Sequence, residues 1–255
     1  MAKPAVILVG ADKGGVGKTT VSRALLDYLI AHNIPTRAFD TESPRGTLKR
    51  FHPDVTEVVD ITTTADQMKI FDTLSSTDAQ ITVIDVRAGL LSHTLKALSD
   101  IGFLDAARKG QITFAVFHIL GPSVASLDEI AETSGYMTDG NYFLVKNFIN
   151  NTTFFEWNPQ TFNSYFKHAK GTHEITIPKL NEMACEQVEL ASVPFVSFVA
   201  NKTPDGNTAN YSFVLRGYVR HWLGNVWGEF DRVKLNDVVA AEARRTPESI
   251  TARQA

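Results

Sequence analysis

A glycine-rich run carrying two lysines, Asp12-Lys13-Gly14-Gly15-Val16-Gly17-Lys18-Thr19-Thr20, constrains this chain more than any other feature. It follows a short apolar run, residues 5–10 (AVILVG), and precedes a segment in which Val21, Ala24, Leu25, Tyr28 and Leu29 recur at helical spacing. The apolar run is too short for a helix and reads as a strand buried on both faces, the expected centre of a sheet. The periodic segment predicts a helix over 18–32, stopped before Pro35. Between them, successive glycines let the backbone curl with its N–H groups pointing inward, and the helix N-terminus adds partial positive charge. Strand, loop and helix in this order can cradle a phosphate.

The side chains of the run fit that chemistry. Lys18 supplies a point charge to β and γ phosphates, and the Thr19 hydroxyl can ligate Mg²⁺. The ordinary pattern, G-x-x-x-x-G-K-[ST], has glycine where this chain has Asp12. An additional lysine, Lys13, follows at once, close enough to serve a nucleotide in its own or a neighbouring subunit.

The alternation continues along the chain. Strands are expected over 36–40, 57–61, 81–86, 112–120 and 142–148, and helices over 65–74, 92–107 and 124–137. A short strand over 175–177 precedes Pro178, a helix runs from there to about 189, and a long amphipathic helix covers 211–230. Strands alternating with helices predict a mostly parallel sheet flanked by helices, with ligands at the C-terminal strand ends. Residues 1–236 are expected to form one domain and 237–255 a polar, frayed tail. Residues 150–171, rich in aromatics and Asn, break the pattern; they read as an insertion, a partner-facing segment, or a loop and short helix packed on the core.

Two acidic motifs close strands. Phe39-Asp40-Thr41-Glu42-Ser43-Pro44 places carboxylates where they can organise an attacking water or a metal's water shell. Ile81-Thr82-Val83-Ile84-Asp85 ends an apolar strand in the carboxylate that a phosphate-loop enzyme uses to hold Mg²⁺, usually through water. Gly89 lies where its N–H could approach a γ phosphate. Asn147, closing the strand over 142–148, has an amide able to read a purine edge or to cap a turn.

Composition removes several classes. With 25 Lys plus Arg against 28 Asp plus Glu, the net charge of −3 gives no general argument for coating DNA. The single cysteine, Cys185, excludes a disulfide framework and any multi-cysteine zinc or iron–sulfur site within the chain. No apolar run approaches the length of a membrane span, and the end of the chain lacks the apolar stripe of a membrane-binding helix, so a cytoplasmic protein without a membrane partner is expected. Arg216 and Arg220, one turn apart beside Trp222 and Trp227, read as a solvated face or a small DNA patch. The seven histidines show no metal spacing.

The run KGGVGKTT resembles the deviant Walker A box of the ParA/MinD family of P-loop ATPases, and the motif order resembles that family from about residue 5 to 179. The resemblance implies a three-layer P-loop NTPase fold binding ATP and Mg²⁺, with Lys13 reaching the partner's nucleotide in an ATP-bound homodimer. It implies that Asp40 and Glu42 fall on the family's paired switch I acids, Glu42 standing 24 residues after Lys18, with Glu42 or Asp40 activating water. It implies that Asp85 is the Walker B acid, that Arg87 occupies a usual proline position, that Asn147 contacts adenine, and that Pro178 lies beside the base. Asp-Thr-acid followed by Pro also resembles TraL-like conjugal-transfer members. The family's processes are plasmid partition, conjugal transfer and intracellular positioning, with an adaptor, cargo protein or DNA as partner. Two other readings stay open: a biosynthetic enzyme like dethiobiotin or cobyrinate synthases, and a nucleotide-binding regulator with little hydrolysis, which the longer Glu42 side chain would suit.

Overall fold

The computed structural model describes residues 3–137, 141–150, 153–156, 158–166 and 173–240. Seven strands, β1 (Ala5–Gly10), β2 (Thr36–Asp40), β3 (Thr56–Val58), β4 (Ile81–Asp85), β5 (Thr113–Leu120), β6 (Asn141–Asn147) and β7 (His173–Ile177), form one sheet in the order β3-β2-β4-β1-β5-β6-β7. Every pairing is parallel, so the expected mostly parallel sheet is parallel throughout. β1 lies at its centre between β4 and β5, and each of its residues is buried.

The strand period of two splits the core between the faces. Ala5, Ile7 and Val9 point to one side, where they join α1 (Lys18–Ala31), α8 (Glu182–Ala191), α9 (Phe195–Val199), α10 (Phe213–Arg232) and α11 (Leu235–Ala240). Val6 and Leu8 point to the other, against α3 (Thr64–Phe71), α4 (Leu91–Asp100), α5 (Phe103–Arg108) and α6 (Val124–Ser134). The three-layer α/β architecture follows from a central strand apolar on both faces.

Three helical features depart from the sequence pattern. α2 (Thr47–Phe51) is an unexpected short helix between β2 and β3, started by backbone bonds to Asp40 rather than by apolar periodicity. The single helix expected over 92–107 is two, α4 and α5, because Gly102 at φ 77° takes the left-handed conformation and ends the first run. α9 is likewise additional, and starts at Pro194.

The aromatic-rich segment 150–171 packs partly on the core: Phe154 is wholly buried against the second face, and Phe155 and Tyr165 lie beside it. It includes α7 (Pro159–Phe166); residues 151, 152, 157 and 167–171 of the segment lie outside those described. The expected tail begins inside α11, where Leu235 and Val239 are buried, and residues 241–255 again lie outside the described part. Among the described residues no helix is long and apolar enough to cross a membrane.

Candidate functional site

Parallel topology brings the C-terminal ends of β1, β2 and β4 side by side, with Asp40 and Asp85 directly paired in register. A groove of about 320 Å³ opens there. Gly15, Gly17, Lys18, Thr19 and Thr20 form one wall, and the others are Asp40 with Glu42 and residues 85–88. All three sequence motifs therefore meet in one place.

The loop is held from several sides. Asn147 at the end of β6 donates its amide N–H to the Val16 carbonyl at 2.7 Å. This approach is possible only because residue 17 is glycine: its φ is 87°, and a Cβ would lie 2.2 Å from Asn147 Nδ2. The Asp12 N–H donates to Glu129 Oε2 on α6 at 2.9 Å, and the Asp12 carboxylate accepts from Ser92 on α4. Lys18 Nζ donates to the Lys13 carbonyl at 3.3 Å, folding its ammonium back over the loop. Burial lowers the Lys18 pKa, opposed by the carboxylates of Asp85, Glu129, Glu42 and Asp12.

Asp85 and α1 are joined by two hydroxyls. Thr19 Oγ1 donates to Asp85 Oδ2 at 2.8 Å, and Ser22 Oγ, one turn on, donates to Oδ1 at 2.9 Å. Burial pushes the Asp85 pKa up to about 7; Asp40 adds to the rise, while the two hydroxyls and Lys18 oppose it. With its proton given to Asp85, the Thr19 oxygen keeps its lone pairs for a cation. A hydroxyl and a carboxylate, both hard oxygen donors at the wall of the groove, fit Mg²⁺. No cluster of three or more His, Cys, Asp or Glu side chains able to hold a metal alone occurs among the described residues.

The two acids after β2 differ in how they are used. Asp40 is buried and accepts three backbone N–H groups: Glu42 at 2.9 Å, Leu48 at 2.6 Å and Lys49 at 3.2 Å. It thereby fixes the start of α2, whose N-cap residue, Gly46, has no side chain to do so. Glu42 is half-buried on the groove wall and its carboxylate accepts the Thr47 hydroxyl.

The remaining sequence candidates lie at varying distances from the groove. Lys13 is exposed, and its ammonium makes no hydrogen bond or ion pair among the described residues. Gly14 is exposed in the loop, and Gly89 is exposed in the turn after Arg87 and Ala88; neither is among the groove-lining residues. Pro178, after β7, accepts the Trp222 indole N–H through its carbonyl at 2.6 Å and is likewise outside the lining. Trp227 donates to the Ala24 carbonyl at 3.2 Å, so both tryptophans tie α10 to its neighbours. Arg216 donates to the Val199 carbonyl at 3.3 Å, which leaves Arg220 as the exposed member of that pair.

Sequence reading missed Glu129, Ser92 and Ser22 as partners of the site. Ser22 alone carried a signal, lying three residues after Thr19 on the same helical face.

No family model matches the chain, and no curated protein matches it. Among solved structures it is similar to the MinD cell division protein of Aquifex aeolicus, with a TM-score of 0.47 at 16% identity over 87% of this chain and 97% of that one. It is similar to the MinC:MinD cell division protein complex of the same organism, with a TM-score of 0.47 at 15% identity over 87% and 96%. A nucleotide-binding protein in complex with ADP from Archaeoglobus fulgidus gives 0.48 at 14% identity over 72% and 85%.

Proposed function

We propose that this chain is a Mg²⁺-dependent ATPase of the ParA/MinD type, working as a nucleotide switch. The observation that carries the reading is the convergence of the glycine loop, Glu42 and Asp85 on one groove, with Thr19 already bonded to Asp85. Loop N–H groups and Lys18 would bind the phosphates, and Thr19 and Asp85 would hold Mg²⁺. When bound, that cation supplies positive charge against which the phosphate oxygens are polarised.

Glu42 is the better candidate for orienting the attacking water, since both Asp40 oxygens are already taken by backbone N–H groups. The Thr47 hydroxyl must leave the Glu42 carboxylate, or share it, before water can be held there. That engagement also favours a second reading, a regulator that binds ATP and turns it over very little. Asn147 supports the loop through Val16 and contacts the base only if its amide swings away. Gly89 takes part only if its turn closes on the γ phosphate.

Exposed and without a side-chain partner among the described residues, the Lys13 ammonium serves an ATP-bound homodimer by reaching the second subunit's phosphates. The dimer then presents a surface to an adaptor or cargo in partition, conjugal transfer or positioning.

Light scattering and phosphate release test these roles together. Glu42→Ala should bind ATP and dimerise while hydrolysis falls on the order of 10²-fold; unaltered turnover moves the water-holding role elsewhere. Lys13→Ala should stay monomeric with ATP, and an intact ATP-dependent dimer would remove its bridging role.

A further inference from the structure

Asp12 stands where the ordinary loop pattern has glycine, and its carboxylate serves a different element. The two oxygens accept the Ser92 N–H at 3.2 and 3.3 Å, and one also accepts the Ser92 hydroxyl. Ser92 lies in the first turn of α4, where N–H groups lack partners within the helix. Leu90, at the N-cap position of α4, has no side chain that can satisfy them. Asp12 is therefore a helix cap supplied from 80 residues away, and its negative charge suits a helix N-terminus.

The other side of Asp12 is also fixed. Its N–H donates to Glu129, whose carboxylate lies 3.3 Å from Nε2 of the buried His118. The start of the loop is thus pinned between α6 and α4. α4 in turn begins at Leu91, with only Gly89 and Leu90 between it and Arg87 and Ala88 of the groove wall.

Resting on the ATP reading above, we propose that Asp12 is a positioning residue that holds the Arg87 and Ala88 wall through α4, and that the groove's preference for a triphosphate over a diphosphate depends on it. The phosphates common to both nucleotides fall to the loop N–H groups, and Lys18 serves the β and γ phosphates. Besides Lys18, the one phosphate that distinguishes the nucleotides has the rest of the lining to meet it, Glu42 and residues 85–88. Loss of the cap frees the first turn of α4 and the wall before it. The loop meanwhile keeps its bonds through Asn147 and Thr19, so diphosphate binding survives.

Calorimetric titration of the full chain with ADP and with a nonhydrolysable ATP analogue tests this on wild type, Asp12→Ala, Asp12→Asn and Ser92→Ala. Asp12→Ala should leave ADP affinity within about 2-fold and reduce the analogue-to-ADP preference on the order of 5- to 10-fold, the scale of one lost cap. Asp12→Asn should recover most of the preference, because its amide oxygen still accepts the Ser92 N–H. If Asp12→Ala does not fold, Ser92→Ala, which loses only the hydroxyl, should still reduce the preference by about 2-fold. Undiminished preference in the folded variants, equal losses for both nucleotides, or an Asp12→Asn variant as impaired as alanine would each overturn the proposal. Wild type that binds neither nucleotide would sink the ATP reading itself.

Discussion

Asp85 and Asp27 are both buried, both pushed up to about 7 by burial, and both packed around α1, yet they sit in opposite circumstances. Asp85 has each oxygen occupied by a hydroxyl from α1 and faces the groove. Asp27, on α1 itself, accepts the Val196 N–H at 3.3 Å, and its Oδ1 has no hydrogen-bond partner among the described residues. His52 Nε2 lies 3.9 Å from that oxygen and is equally unpartnered, as are Nε and Nη2 of the buried Arg23. The Arg23 guanidinium is instead stacked 3.4 Å from the Phe51 ring centre and 4.2 Å from that of Phe195, with one bond to Glu189. A raised carboxyl pKa marks burial. What sets Asp85 apart is that its oxygens are partnered and that it lines a groove.

The contrast predicts effects of opposite sign. Asp85→Ala removes the acceptor of two hydroxyls at the groove, and ATP turnover measured by phosphate release should fall on the order of 10²-fold. A loss under about 3-fold would place Asp85 with Asp27 as a buried acid without a role in the chemistry.

The smaller effect concerns stability. The Asp27 carboxyl titrates near 7 in the fold against an ordinary value of 3.8, so the folded state binds its proton more tightly than the unfolded chain. The stability this contributes is complete below about pH 4 and is lost as pH rises through 7. His52, pushed down to about 3 by burial and by Arg23, stays neutral and cannot compensate the Asp27 charge. Asp27→Asn keeps an acceptor for Val196 and removes the charge. Its Tm should exceed that of wild type at pH 8 by about 2–4 °C for each kcal/mol relieved, and the gain should vanish near pH 4. A lower Tm at pH 8 would show that the charged carboxylate is stabilised there after all.

Much of the fold was legible because its causes are local. Apolar runs bounded by glycine or proline marked most strands, and helical spacing marked α1, α6 and α10. α2 was not, because five residues are too few for a period and its start depends on the Asp40 carboxylate eight residues away. The loop, Asp40, Glu42 and Asp85 were legible as candidates because each lies at or just past the end of a strand, and parallel topology brings strand ends together. The roles of Asp12, Glu129 and Asn147 were not, since their bonds span 80 to 131 residues and depend on how α4, α6 and β6 fall beside the loop. Arg23 and Asp27 stand four apart on α1 with no motif around them; only the packing of α2 and α9 over them creates the buried cluster.

In the proposed function, the loop binds the phosphates of ATP through Lys18. Calorimetric titration of ATP with Mg²⁺ into wild type and Lys18→Ala tests it most directly. Saturable binding by wild type is expected, with a loss on the order of 10²-fold or more in the variant, whose Tm in the absence of nucleotide should stay close to wild type. Equal ATP affinity in the two proteins would contradict it.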